Sequence, residues 1–114
     1  MLRAMSSVLD EPEFERRAAA TLEKMVEALA DGEDEAYDAD LESGVLTIRF
    51  EDGARYVVNS HRAARQIWMA ADASAWHFEW DGHAWRSTKG PEELWSLLSA
   101  RMSGRLGRKL TLSE

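Results

Sequence analysis

Between Gly44 and Ser87 the chain reverses direction so often that only short strands fit. Leu46, Ile48 and Phe50 alternate with Val45, Thr47 and Arg49, a period of two that puts one set on each face of a strand over residues 44–50. Asp52-Gly53 follows as a two-residue hairpin signal, and residues 54–59 return with Tyr56 and Val58 in phase for the same core. Residues 66–71 and 76–80 read as third and fourth strands of this run. Asp81-Gly82 marks a turn before a short last strand at 84–87, and a strand over 37–41 precedes the tight Ser43-Gly44 turn. A parallel pair needs a crossover of a dozen residues or more, and these connections are too short for one. The strands therefore form an antiparallel meander.

A helical pattern lies on either side. Over residues 10–30, Phe14, Ala18, Leu22, Met25 and Leu29 recur at steps of three or four and make one apolar stripe. Asp10 can cap this helix, Pro12 suits its first turn, and Gly32 ends it. Near the other end Pro91 opens a second helix, with Glu92 and Glu93 in its first turn and Leu94, Trp95, Leu97, Leu98 and Met102 on its apolar face; Gly104 or Gly107 ends it. Leu110 and Leu112 are expected to pack back onto the core. Helix, strands, helix is the order of an α+β fold. The expectation is a two-layer α/β sandwich, an antiparallel sheet of about five to six strands with the N- and C-terminal helices on one face and water on the other. Residues 1–8 read as a frayed tail and 9–114 as a single domain.

Charge narrows the function. Thirteen of the 21 acidic residues lie between Asp10 and Glu42 against Arg16, Arg17 and Lys24, so this third of the chain carries −10 while the whole carries −7. Such an edge attracts cations or a basic partner and argues against nucleic acid as the main ligand. Without cysteine there is no disulfide framework, thiolate nucleophile or zinc site of the usual kind. No apolar run nears the roughly 20 residues that cross a bilayer. The expected setting is the cytoplasm. Catalysis has little support, for there is no G-x-S-x-G, no phosphate loop, and no closed apolar pocket suggested around any carboxylate pair.

Three segments together resemble the frataxin family, specifically its bacterial CyaY-type members. They are Gly44-Val45-Leu46-Thr47-Ile48-Arg49-Phe50 with Asp52-Gly53; Asn59 followed seven and nine residues later by Gln66 and Trp68; and Trp76-His77-Phe78-Glu79-Trp80 with Gly82 and Trp85. The acidic first helix and the Leu94-Trp95-x-Leu97-Leu98 helix match as well. Ala63 stands where the family usually has proline, and Ala30 and Ala36 where relatives are often acidic. The resemblance implies an iron-binding protein that regulates or supplies iron–sulfur cluster assembly. It implies a cysteine desulfurase and an iron–sulfur scaffold protein as partners, iron as a weakly held, exchangeable ligand, and a monomer in the absence of iron.

Two groups of residues are candidates for those roles. Glu23, Glu27 and Asp31 recur at steps of four and share a helix face; Asp38, Asp40 and Glu42 recur at steps of two and share a strand face; Glu33 and Asp34 occupy the turn between. Hard cations, among them Fe²⁺, Fe³⁺, Mn²⁺ and Ca²⁺, take oxygen ligands of this kind, and open carboxylates bind them weakly. The same residues also suit a solvated face that keeps a small protein in solution. An EF-hand is excluded because Ala36 replaces the required glycine and a strand follows where a helix is needed. Trp68 alternates with Ile67 and Met69, so it should lie on the open sheet face beside Asn59 and Gln66, where the resemblance implies contact with the scaffold. Trp76, Phe78, Trp80 and Trp95 are expected in the core, Trp85 on either side, and His61, His77 and His83 at the surface. The residues also leave open an acidic adaptor with no metal role; the resemblance leaves open a ferroxidase, although the sequence has no Glu-x-x-His di-iron ligand set.

Overall fold

The computed structural model describes residues 9–31 and 36–114. Helix α1 (Glu11–Asp31) is followed by six strands, β1 (Tyr37–Glu42), β2 (Val45–Phe50), β3 (Arg55–His61), β4 (Gln66–Ala71), β5 (Ser74–Trp80) and β6 (Trp85–Ser87), and then by helix α2 (Leu94–Leu106). The strands form one sheet in the order β1-β2-β3-β4-β5-β6, each antiparallel to the next. The anticipated tail at residues 1–8 and the helix-ending Gly32 lie outside the described residues.

Local chemistry explains most boundaries. Asp10 Oδ1 accepts a hydrogen bond from the Glu13 amide at 2.9 Å, so one of the donors that α1 leaves unpaired at its start is satisfied. The α2 boundary differs from the expectation. Glu93 is the N-cap, its carboxylate accepting from the Trp95 and Ser96 amides at 2.9 and 3.1 Å, and Pro91 and Glu92 lie outside the helix. Proline at 91 cannot start the helix there because the next residues pair with β6: the Ser87 amide donates to the Glu92 carbonyl at 2.8 Å. Gly107, at φ 72°, closes α2 in the left-handed conformation, and Gly104 stays inside it.

The β4–β5 connection also differs. Residue 74, not 76, begins β5, and the turn is Asp72-Ala73 with φ 52° and 65°. Both values belong to a mirror-image hairpin turn that usually calls for Asn-Gly. Asp72 is held in that conformation from outside the hairpin. Its carboxylate accepts from the Tyr56 hydroxyl at 2.9 and 3.0 Å and from the Arg105 guanidinium at 3.0 Å.

One face of the sheet carries the core. Leu46, Ile48, Tyr56, Val58, Ile67, Met69 and Phe78 meet Phe14, Leu22, Met25 and Leu29 of α1 and Leu94, Leu98 and Met102 of α2, all buried. Trp85 is buried too, at 1% exposure. Its Nε1–H donates to Thr21 Oγ1 at 3.0 Å and its ring meets Phe14 edge-on, so β6 is tied to α1. The tail returns as expected. Ser99 Oγ accepts from the Leu112 amide and Ser103 Oγ from the Leu110 amide, each at 2.8 Å, and Leu112 is buried. Trp95 is in the core, but of the β5 aromatics only Phe78 is fully enclosed. Trp76 and Trp80 are half-buried at the margin, where the guanidinium of Arg101 lies 4.8 Å from the first ring and that of Arg17 4.1 Å from the second. Arg17 of α1 and Arg101 of α2, not apolar side chains, lie over these rings, so their outer parts stay in contact with water.

Candidate functional site: the open sheet face and its acidic edge

Strand register assigns the second face. Each cross-strand pair shares a side of the sheet. Asp38 lies opposite Arg49, Asp40 opposite Thr47 and Glu42 opposite Val45; Val45 lies opposite Asn59, Asn59 opposite Trp68, and Trp68 opposite His77. One row therefore runs across five strands as Glu42, Val45, Asn59, Trp68, His77. Neither helix covers it. Val45, 38% exposed, lies within it.

The three residues singled out by the Asn59…Gln66-x-Trp68 spacing come together in this row and the next. Trp68 Nε1–H donates to Gln66 Oε1 at 2.7 Å, and Gln66 Nε2 donates to Glu79 Oε2 at 2.9 Å. The Asn59 side-chain amide donates to the Ser60 carbonyl at 3.3 Å. What sequence reasoning missed is the pair of histidines around Trp68. His61 and His77 lie on either side of the indole, nearly parallel to it. Alternation with Trp76 gives His77 this face, as expected, but not its contact with Trp68. The contact also needed the β3–β4 and β4–β5 registers, which depend on loops whose conformation the sequence left open.

The acids form a ridge around the β1 edge, not a pocket. The first residue of β1 and the last turn of α1 are joined, since the buried Tyr37 hydroxyl donates to the Leu29 carbonyl at 3.3 Å. Burial also raises the Tyr37 pKa. Glu23, Glu27 and Asp31 are exposed on α1, on the helix side of the sheet. Asp38, Asp40 and Glu42 are exposed on the opposite side. The stripe and the strand acids thus flank one edge without converging. Glu33 and Asp34, expected to link them, lie outside the described residues. Among the described residues no three His, Asp or Glu side chains are grouped closely enough to hold a metal ion.

A basic residue sits among the strand acids. Arg49 Nη1 is 2.5 Å from Asp40 Oδ1 and 3.9 Å from Asp38 Oδ2. The hydrogen bond and charge of Asp40 raise the Arg49 pKa further, so it stays cationic at any relevant pH. The α1 acids have no such counterpart in their helix end. The last turn of the helix has no basic residue and does have Asp31, although the negative end of the helix dipole disfavours a carboxylate there. Glu23, Glu27 and Asp31 are exposed on the helix surface.

Comparison with known proteins agrees with this architecture. A family profile described as a frataxin-like domain matches residues 7–108. An iron-sulfur cluster assembly protein CyaY of Dechloromonas aromatica is 39% identical over 109 residues, covering 91% of this chain and 99% of that one. The protein of the same name from Cupriavidus metallidurans is 37% identical over 107 residues, covering 91% and 96%. Among solved structures, frataxin from Psychromonas ingrahamii superposes with a TM-score of 0.85 at 21% identity, over 93% of this chain and all of that one. Trimeric yeast frataxin reaches 0.71 at 19%, over 93% and 87%. These two establish the shared fold. A six-stranded meander under two helices, matched along nearly its whole length by the family profile and by CyaY sequences, makes this chain a member of the frataxin-like, CyaY family of iron–sulfur cluster assembly proteins.

Proposed function

We propose that the chain regulates iron–sulfur cluster assembly by docking on a cysteine desulfurase and its scaffold protein, and that it senses or supplies iron through weakly bound ions on its acidic ridge. The observation that carries this reading is the adjacency of two unlike surfaces. An uncovered sheet face with Trp68, Gln66 and Asn59 at its centre runs directly into a carboxylate edge at β1. A basic groove on the desulfurase complements the ridge, and the sheet face meets the scaffold. Iron is cargo in this scheme. Glu23, Glu27, Asp31, Glu33, Asp34, Asp38, Asp40 and Glu42 are the oxygen donors the scheme offers it, and the exposure of the six that the structure describes supports exchange over storage. The scheme assigns no catalytic residue, and it has the chain act as a monomer before iron is bound.

A second reading is favoured by one observation. Arg49 already neutralises part of the Asp38–Asp40 pair, as suits an adaptor whose acids serve protein contact only. Cluster assembly by the cognate desulfurase and scaffold, followed by absorbance with and without this protein across a range of Fe²⁺, separates the two. An iron-dependent change in rate, lost on reversing Asp38 and Asp40 to lysine, supports the regulator. An effect equal at all iron levels favours the adaptor, and no effect at any level overturns both.

A further inference from the structure

Trp68 stands between two imidazoles. Its ring centroid is 3.9 Å from that of His61 and 4.2 Å from that of His77, with 9° between planes in both cases. His77 is directly opposite on β5, and His61 is diagonal on β3, two residues beyond Asn59 and opposite Gln66. Gln66 takes the indole N–H, and Glu79 in turn holds Gln66. Both faces of the indole and its one polar atom are therefore occupied. His61 Nδ1 is buried without a hydrogen-bond partner. That imidazole is held by ring contact rather than by a hydrogen bond at Nδ1.

We infer that His61 and His77 are positioning residues that clamp Trp68 in one rotamer, so that it presents a ring edge, not a ring face, to the scaffold protein of the docking reading. The chemistry of the partner follows. A Lys or Arg cation stacked over the indole has no free face to occupy. The edge of an aromatic ring is its positive side, so it fits carbonyl and carboxylate oxygens or the face of another ring. Val45 in the same row adds an apolar neighbour. Holding a large side chain before docking removes an ordering cost otherwise met on binding, equivalent to about three- to tenfold in affinity.

The affinity part of this inference rests on the docking reading above; the ordering part does not. The test compares the intact chain with His61→Ala/His77→Ala and with His61→Phe/His77→Phe, which keeps two flat rings and removes the imidazoles. All substitutions are on the uncovered face, away from the helix-packed core. The indole N–H of Trp68 is followed in ¹H–¹⁵N spectra, assigned by its disappearance in Trp68→Phe. The alanine pair should lose order at that indole and exchange its proton faster, and the phenylalanine pair should recover both. Affinity for the cognate scaffold protein should fall about three- to tenfold with alanine and return with phenylalanine. An indole equally ordered in the alanine pair overturns the clamp, as does a phenylalanine pair that fails to restore it. If Trp68→Ala leaves scaffold affinity unchanged, the docking reading fails and the clamp stands or falls on the spectra.

Discussion

Replacing Thr21 by valine should destabilise the protein by about 1–2 kcal/mol, although the change is nearly isosteric and far from any exposed surface. Thr21 and Trp85 are each 1% exposed, and the hydrogen bond between them is 3.0 Å long. Valine keeps the branched Cβ, so helix propensity and packing volume barely change. The effect reduces to one orphaned donor. An indole N–H left unpaired in the core costs about 1–3 kcal/mol. The extra methyl returns up to about 0.8 kcal/mol of burial. The net corresponds to a fall in Tm of about 5–10 °C for a domain of this size. Urea unfolding followed by tryptophan fluorescence measures it, and a double-mutant cycle isolates it. In a Trp85→Phe background the donor is gone, so Thr21→Val should become neutral or slightly stabilising, a coupling of about 1–2 kcal/mol. Equal effects of Thr21→Val in the two backgrounds would refute the reasoning, because the hydrogen bond would then not be what ties β6 to α1.

Three further outcomes follow from particular residues. Ala73 adopts φ 65° in the β4–β5 turn, where glycine carries no side-chain penalty; Ala73→Gly should stabilise by about 1 kcal/mol, and a loss of stability in urea unfolding would mean the turn is not left-handed in solution. The Asp72 carboxyl is pushed up by burial, but the Arg105 and Tyr56 hydrogen bonds and the nearby Arg101 charge outweigh this and lower its pKa. The stability it contributes is therefore present above the ordinary carboxylate pKa near 4 and is lost as pH falls through its lower folded value. Asp72→Asn should flatten that acid limb in Tm measured from pH 6 to pH 2, and an unchanged slope would contradict the assignment. Removing the positive charge with Arg49→Gln should unmask Asp38 and Asp40 and tighten Fe²⁺ or Mn²⁺ binding about threefold at physiological ionic strength; unchanged titration calorimetry would place the binding carboxylates elsewhere on the ridge.

The division between what was legible in the chain and what was not follows the range of the forces involved. Period-two alternation, Asp52-Gly53, Ser43-Gly44 and the Phe14–Leu29 stripe act over a few residues. They determine by themselves an antiparallel meander with two helices on one face, and they put Trp68 on the other face. The same alternation separates Asp38, Asp40 and Glu42 from the core. Tertiary contacts decided the rest. The Asp72-Ala73 turn has weak local chemistry and is stabilised by Tyr56 and Arg105, distant in sequence. Trp85 had no clear phase until Thr21, 64 residues away, supplied an acceptor. The sequence put the helix acids on one face and the strand acids on another without relating the two; they lie on opposite sides of the sheet because α1 packs on the face from which β1 turns its carboxylates away. His61 and His77 became neighbours of Trp68 only through register, since stacking acts across strands and no spacing along one strand encodes it.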